Sequence, residues 1–162
     1  MASTSTQRIE VSFTLNGAPT QATVEPELAL VDMLRDRLGL KGTKRSCDMQ
    51  VCGACTVLID GEPVSSCTVP AFEVRGRDVL TIEGVAADED ASVIGDALVE
   101  NAGIQCGYCT PGMVMASVSL LKENPSPSEA EVREGLEGNL CRCTGYHNIV
   151  KAVLAASGQK VD

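Results

Sequence analysis

Apolar and polar positions alternate over the first ordered-looking stretch of the chain. In "IEVSFTL", Ile9, Val11, Phe13 and Leu15 fall on one face at a period of two, which predicts an amphipathic strand. Asn16-Gly17 is a hairpin turn signal, and "TQATVE" returns with Ala22 and Val24 sharing a face. From Pro26 the period lengthens to that of a helix. Leu30, Val31, Leu34 and Leu38 recur at three- and four-residue steps, and Gly39 stands where a C-cap glycine belongs. Residues 40–55 read as a loop. "CTVLIDGEPVSSC" predicts a second hairpin turned by Asp60-Gly61, and "DVLTIEG" a last strand. Residues 1–8 read as a flexible tail.

Beyond Gly84 the pattern is helical. "DEDASVIGDALVENAG" predicts a helix ending at Gly103. Thr110-Pro111 supplies an N-cap and an N1 proline for a helix through "GMVMASVSLLKEN", broken by Pro125 and Pro127. Ser128 and Glu131 form the S-x-x-E capping box of a third helix that ends near Gly138. A fourth runs through "NIVKAVLAAS". The chain therefore divides into a strand-rich first half, with one helix on a small sheet, and an all-helical second half of short joints.

Composition narrows the function. The 162 residues suit one large domain or two small ones. A net charge of −9 disfavours nucleic acid or an anionic membrane as partner and serves solubility. "MASTSTQRIE" has no apolar h-region, and the apolar runs are too short to span a bilayer. The expectation is a cytoplasmic or organelle-interior protein, where thiols stay reduced. Eight cysteines in such a compartment argue for metal ligation over a disulfide framework.

Each half of the chain holds four cysteines. Cys47, Cys52, Cys55 and Cys67 give C-x4-C-x2-C-x11-C, the plant-type [2Fe–2S] spacing of three ligands on one loop and a remote fourth. A two-iron rhomb needs two thiolates on each iron, and Gly53 and Ala54 let the backbone come close to it. Zinc, the alternative, prefers separated knuckles. Cys106, Cys109, Cys141 and Cys143 give C-x2-C-x31-C-x1-C, unusual for zinc and for plant ferredoxins alike. Cys109 precedes a helix start, where free N–H groups and the dipole favour a thiolate. A dithiol switch would need only Cys106 and Cys109 and leaves Cys141 and Cys143 without a role. The single histidine, His147, excludes a Rieske site and reads as a surface or helix-start residue. No Ser-His-Asp set and no phosphate loop is present, so no catalytic residue is assigned to this chain.

"CDMQVCGACTV", "QCGYCTPGM" and "GNLCRCTGY", in this order, resemble the small iron–sulfur subunit of molybdenum hydroxylases. This is the xanthine oxidase family in its three-subunit form, as in carbon monoxide dehydrogenase, 4-hydroxybenzoyl-CoA reductase, quinoline oxidoreductase and nicotine dehydrogenase. The resemblance runs from about residue 8 to residue 155. It implies an α+β fold: a plant-ferredoxin-like β-grasp domain (residues 1–82) with a [2Fe–2S] cluster on Cys47, Cys52, Cys55 and Cys67. A four-helix-bundle domain (83–162) would hold a second on Cys106, Cys109, Cys141 and Cys143. It further implies a large subunit carrying a molybdopterin-type molybdenum cofactor and a medium subunit carrying FAD, in a dimer of heterotrimers. Gln105 would hydrogen-bond the pterin and Cys143 would lie close to it. Electrons would run from molybdenum through the Cys106 set and then the Cys47 set to FAD. A stand-alone two-cluster ferredoxin or redox sensor is the competing reading. One departure from the family is visible. The family usually has glycine before its first cysteine and often within the loop, whereas "RSCDMQVCGAC" has Ser46 and no glycine between Cys47 and Cys52.

Overall fold

The structure is a computed structural model and describes residues 8–161. The tail expected over 1–8 therefore lies, for residues 1–7, outside the described residues. The described chain is α+β. β1 (Ile9–Leu15) and β2 (Ala18–Val24) form an antiparallel hairpin with Ile9 opposite Val24 and Leu15 opposite Ala18. Asn16 and Gly17 make the turn at φ 51° and 79°, as a tight two-residue loop between twisted strands demands. α1 (Leu30–Asp32) continues directly as a π-helical turn, Met33–Arg37. β3 (Thr56–Ile59), β4 (Glu62–Ser65) and β5 (Asp78–Leu80) complete a five-stranded sheet of order β2-β1-β5-β3-β4. β5 runs parallel to β1 and antiparallel to β3. A 3₁₀ turn, Ala71–Val74, leads into β5.

The second half contains α2 (Ile82–Ala86), α3 (Glu89–Glu100), α4 (Thr110–Glu123), α5 (Glu129–Gly135) and α6 (His147–Ala156). Two apolar cores result. Val11, Phe13, Val24, Leu30, Met33, Leu34 and Val79 fill the space between the sheet and α1. Ile94, Leu98, Met113, Met115, Val132, Ile149 and Val153 fill the space among the helices. β3 joins them: Val57 and Ile59 face the first core, and Leu58 packs into the second. "TVLI" has no polar alternation because both of its faces are buried.

Several boundaries differ from the sequence expectation. Pro26 does not open the first helix. Ala29 is held in a bridge to Pro70, so helical backbone starts only at Leu30. Gly39, at φ 76°, does stand just past that helix, and the Leu40 N–H closes it onto the Leu34 carbonyl. "DVLTIEG" is not one strand. β5 stops at Leu80, and Thr81 turns the chain into α2, with Asn16 Oδ1 accepting the Thr81 N–H at 2.8 Å. Helix α4 begins one residue early, so Cys109 itself is the N-cap and Thr110 is already helical. The Ser128–Glu131 capping box is present in both directions, but α5 ends at Gly135 rather than near Gly138.

Candidate metal centres

The first cysteine set lies on the long loop between α1 and β3. Arg35, from the π turn, anchors the approach to it by donating to the carbonyls of Lys41 (3.0 Å) and Thr43 (2.5 Å). The Lys44 N–H reaches the Ala54 carbonyl at 3.1 Å, closing the loop on itself. Within it, Asp48 and Gln50 take left-handed φ values of 55° and 58°, and Gly53 follows at 66°. This alternation turns the N–H groups of Met49, Val51 and Cys52 toward Cys47 Sγ, an anion-binding concavity of backbone donors. Those donors pull the Cys47 thiol down to about 6. Cys55 is buried, and that burial pushes its thiol up to about 11.

The second set lies between helices. Cys106 and Cys109 precede α4, and Cys141 and Cys143 lie on the segment that joins α5 to α6. Tyr146 shapes that segment from the α6 N-cap at φ 71°, its hydroxyl oxygen accepting the Cys141 N–H at 3.1 Å. Burial, helped by the neighbouring Cys141, pushes the Cys109 thiol up to about 12. The Tyr108 N–H holds the Cys106 thiol below its ordinary value, and its Cys106 neighbour holds the Cys143 thiol above it. Cys141 is pushed up by burial, but the Thr144 hydroxyl and N–H prevail and lower it.

The thiols meet two by two. Cys143 Sγ lies 3.5 Å from Cys106 Sγ, and Cys109 lies beside Cys141. Cys55 lies beside Cys67, and Cys47 lies beside Cys52, whose N–H donates to Cys47 Sγ at 3.4 Å. None of the eight is in a disulfide. Among the described residues no three His, Cys, Asp or Glu side chains gather as for a single ion. A structural zinc needs four donors around one point. Pairs of thiols suit two irons with two thiolates each, and in that respect the donor sets fit a [2Fe–2S] group.

The two sets share a wall. A cavity of about 400 Å³ is lined by Cys52 and Ala54 from the first loop and by Cys106, Cys109, Cys141 and Cys143 from the second. The Leu140 N–H donates to the Cys52 carbonyl at 2.9 Å, joining the residue before Cys141 to a cysteine of the other set. Asn139, buried, donates through Nδ2 to the Gly53 carbonyl at 3.2 Å. Close approach is possible because the facing positions are glycines. A Cβ on Gly112 would land on the Gly53 carbonyl oxygen, and one on Gly53 would land on the Gly138 carbonyl oxygen.

Two family models match the chain in succession. Residues 13–81 match the 2Fe-2S iron-sulfur cluster binding domain, and residues 81–154 match the [2Fe-2S] binding domain. The chain is 41% identical to the nicotinate dehydrogenase small FeS subunit of Eubacterium barkeri, over 90% of this chain and 93% of that one. It is 44% identical to the nicotine 6-hydroxylase small subunit of Paenarthrobacter nicotinovorans, over 94% and 92%. The chain belongs to the small iron–sulfur subunits of the molybdenum hydroxylases. The fold agrees: a chain of quinoline 2-oxidoreductase from Pseudomonas putida 86 superposes with a TM-score of 0.89 at 44% identity, covering 94% of this chain and 95% of that one. This small subunit is thus an electron-transfer component of an oxidoreductase.

Gln105 is exposed at the edge of the second set, beside exposed Cys106. The sequence pattern does not single out Asn139, Leu140 or Gly112. Asn139 and Leu140 stand inside the quoted "GNLCRCTGY", directly before Cys141, which was the available signal. Nothing local marks Gly112, whose role depends on a loop almost sixty positions away.

Proposed function

We propose that the small subunit conducts electrons between a molybdenum-binding large subunit and an FAD-binding medium subunit, in a cytoplasmic dimer of heterotrimers. Its architecture is then a plant-ferredoxin-like β-grasp domain over residues 1–82 and a helical domain over 83–162 whose four-helix bundle is α3–α6. Cys47, Cys52, Cys55 and Cys67 hold one [2Fe–2S] cluster; Cys106, Cys109, Cys141 and Cys143 hold the other. Bound clusters supply one-electron redox steps. The chain's own residues fix the two sites against each other through the Leu140–Cys52 and Asn139–Gly53 hydrogen bonds. Gln105 and Cys143, both exposed, present the second set to the pterin side of the large subunit.

The observation that carries this reading is the Leu140 N–H to Cys52 carbonyl bond, which brings the backbones of the two cysteine sets into direct contact. Exposed Tyr108 and Leu140, which line the cavity with Cys106 and Cys143, favour a subunit over a self-sufficient ferredoxin, because they leave apolar surface for a partner to cover. The test is EPR of the dithionite-reduced complex. Two distinct [2Fe–2S] signals are expected, and Cys109→Ser should remove or cripple one while the other persists. A colourless, zinc-containing protein, or a Cys109→Ser variant with both signals intact, would overturn the assignment. Among the described residues no helix is long and apolar enough to cross a membrane.

A further inference from the structure

The loop from Cys47 to Cys52 makes its concavity of N–H donors without a single internal glycine. Left-handed backbone strains an ordinary side chain, and Asp48 and Gln50 both adopt it. Each is tied down. Asp48 Oδ1 accepts from Arg45 Nε at 2.9 Å, and the same guanidinium reaches Asp32 Oδ1 at the end of α1 at 2.5 Å. Gln50 Oε1 accepts from the Thr68 hydroxyl at 3.3 Å, beside Cys67. Arg45 is itself placed from the other half of the molecule: the Tyr108 hydroxyl, from between Cys106 and Cys109, donates to the Arg45 carbonyl at 2.5 Å.

We propose that Arg45 is a positioning residue for the first metal site. Its guanidinium clamps Asp48 in the left-handed conformation that aims the Met49, Val51 and Cys52 N–H groups at Cys47 Sγ. The clamp substitutes an ion pair for the conformational freedom of glycine. Charge alone is an insufficient account of the pair, since exposed ion pairs contribute little by themselves. Its geometric role gives a sharper expectation. A glycine at position 48 adopts the same backbone without strain and makes the clamp unnecessary. An alanine there keeps the strain and loses the clamp.

This inference rests on the proposed cluster ligation, and the experiment separates the two. The loaded full-length chain is incubated with a ferrous chelator, and iron release is followed by visible bleaching, with EPR reporting which cluster is lost. Two EPR signals in the unmodified chain test the ligation itself. Asp48→Ala and Arg45→Met should each release iron from one cluster about five-fold faster, the effect of losing one modest local constraint. Asp48→Gly should release it at the original rate. Adding Arg45→Met to Asp48→Gly should then change the rate little. The clamp is refuted if Asp48→Gly is as labile as Asp48→Ala, or if Arg45→Met is equally harmful in the Asp48→Gly background. Tyr108→Phe should give a smaller acceleration confined to the same cluster; loss of only the other cluster would count against the strut from the second set.

Discussion

Gly112 offers the most discriminating substitution, because local and tertiary reasoning predict opposite signs. It lies in the first turn of α4. On helix propensity alone, Gly112→Ala should stabilise the protein by up to about 1 kcal/mol. The packing says otherwise. An added Cβ would collide with the Gly53 carbonyl oxygen, with the Gly53 carbonyl carbon 3.1 Å away and Asn139 Nδ2 at 3.0 Å. Two of those three neighbours are backbone, which no rotamer change can move. Overpacking of this kind costs about 1–3 kcal/mol. Separating the segments also strains the Asn139–Gly53 and Leu140–Cys52 hydrogen bonds, each contributing about 1 kcal/mol. Set against the propensity gain, the net expectation is a loss of about 3 kcal/mol. Gly95→Ala is the internal control: it lies within α3, and an added methyl there would meet nothing within 4 Å, so it should stabilise by about 1 kcal/mol at most. The assay is urea unfolding of the loaded chain, followed by far-UV circular dichroism and visible absorbance. With a slope of about 2 kcal/mol per molar urea, Gly112→Ala should lower the midpoint by about 1.5 M, while Gly95→Ala leaves it equal or raises it. A Gly112→Ala midpoint at or above the unmodified value would refute the close approach of the two cysteine sets.

Three further outcomes are expected. Gln105→Ala should leave both EPR signals intact but slow reduction of the clusters by substrate in the assembled enzyme, or weaken assembly; unchanged stopped-flow kinetics and assembly would count against a pterin contact. Leu58→Ala should cost about 2–5 kcal/mol, and because Leu58 packs into the helical core from β3, scanning calorimetry should show the helical half weakened by a mutation in the sheet. Ser128→Ala should cost about 1 kcal/mol through the lost cap, read as a lower melting temperature. The Ser128 hydroxyl and N–H hold the Glu131 carboxyl below its ordinary 4.5, so its contribution is complete above that pH and is lost as pH falls through the lowered value. Unmodified protein should therefore lose stability on acidification more steeply than Ser128→Ala.

The grouping of the eight cysteines, the turns at Asn16-Gly17 and Asp60-Gly61 and the capping box at Ser128 are all legible in the linear sequence. The turns and the capping box depend on residues within a few positions of one another, through backbone conformation or a local hydrogen bond, and the cysteines declare themselves by residue type and spacing. Where a distant segment competes, the local reading slips. Pro26 has the signature of a helix start, but the bridge from Ala29 to Pro70 holds that stretch extended. "DVLTIEG" reads as strand throughout, but Asn16 captures Thr81 and turns the chain into α2. Spacing places four cysteines in each half; it does not say that Cys106 meets Cys143 and Cys109 meets Cys141, or that Cys52 touches the residue before Cys141. Those pairings belong to tertiary structure, because they follow from packing α4 against β3 and from two glycines, Gly53 and Gly112, standing where a side chain would hold the two halves apart.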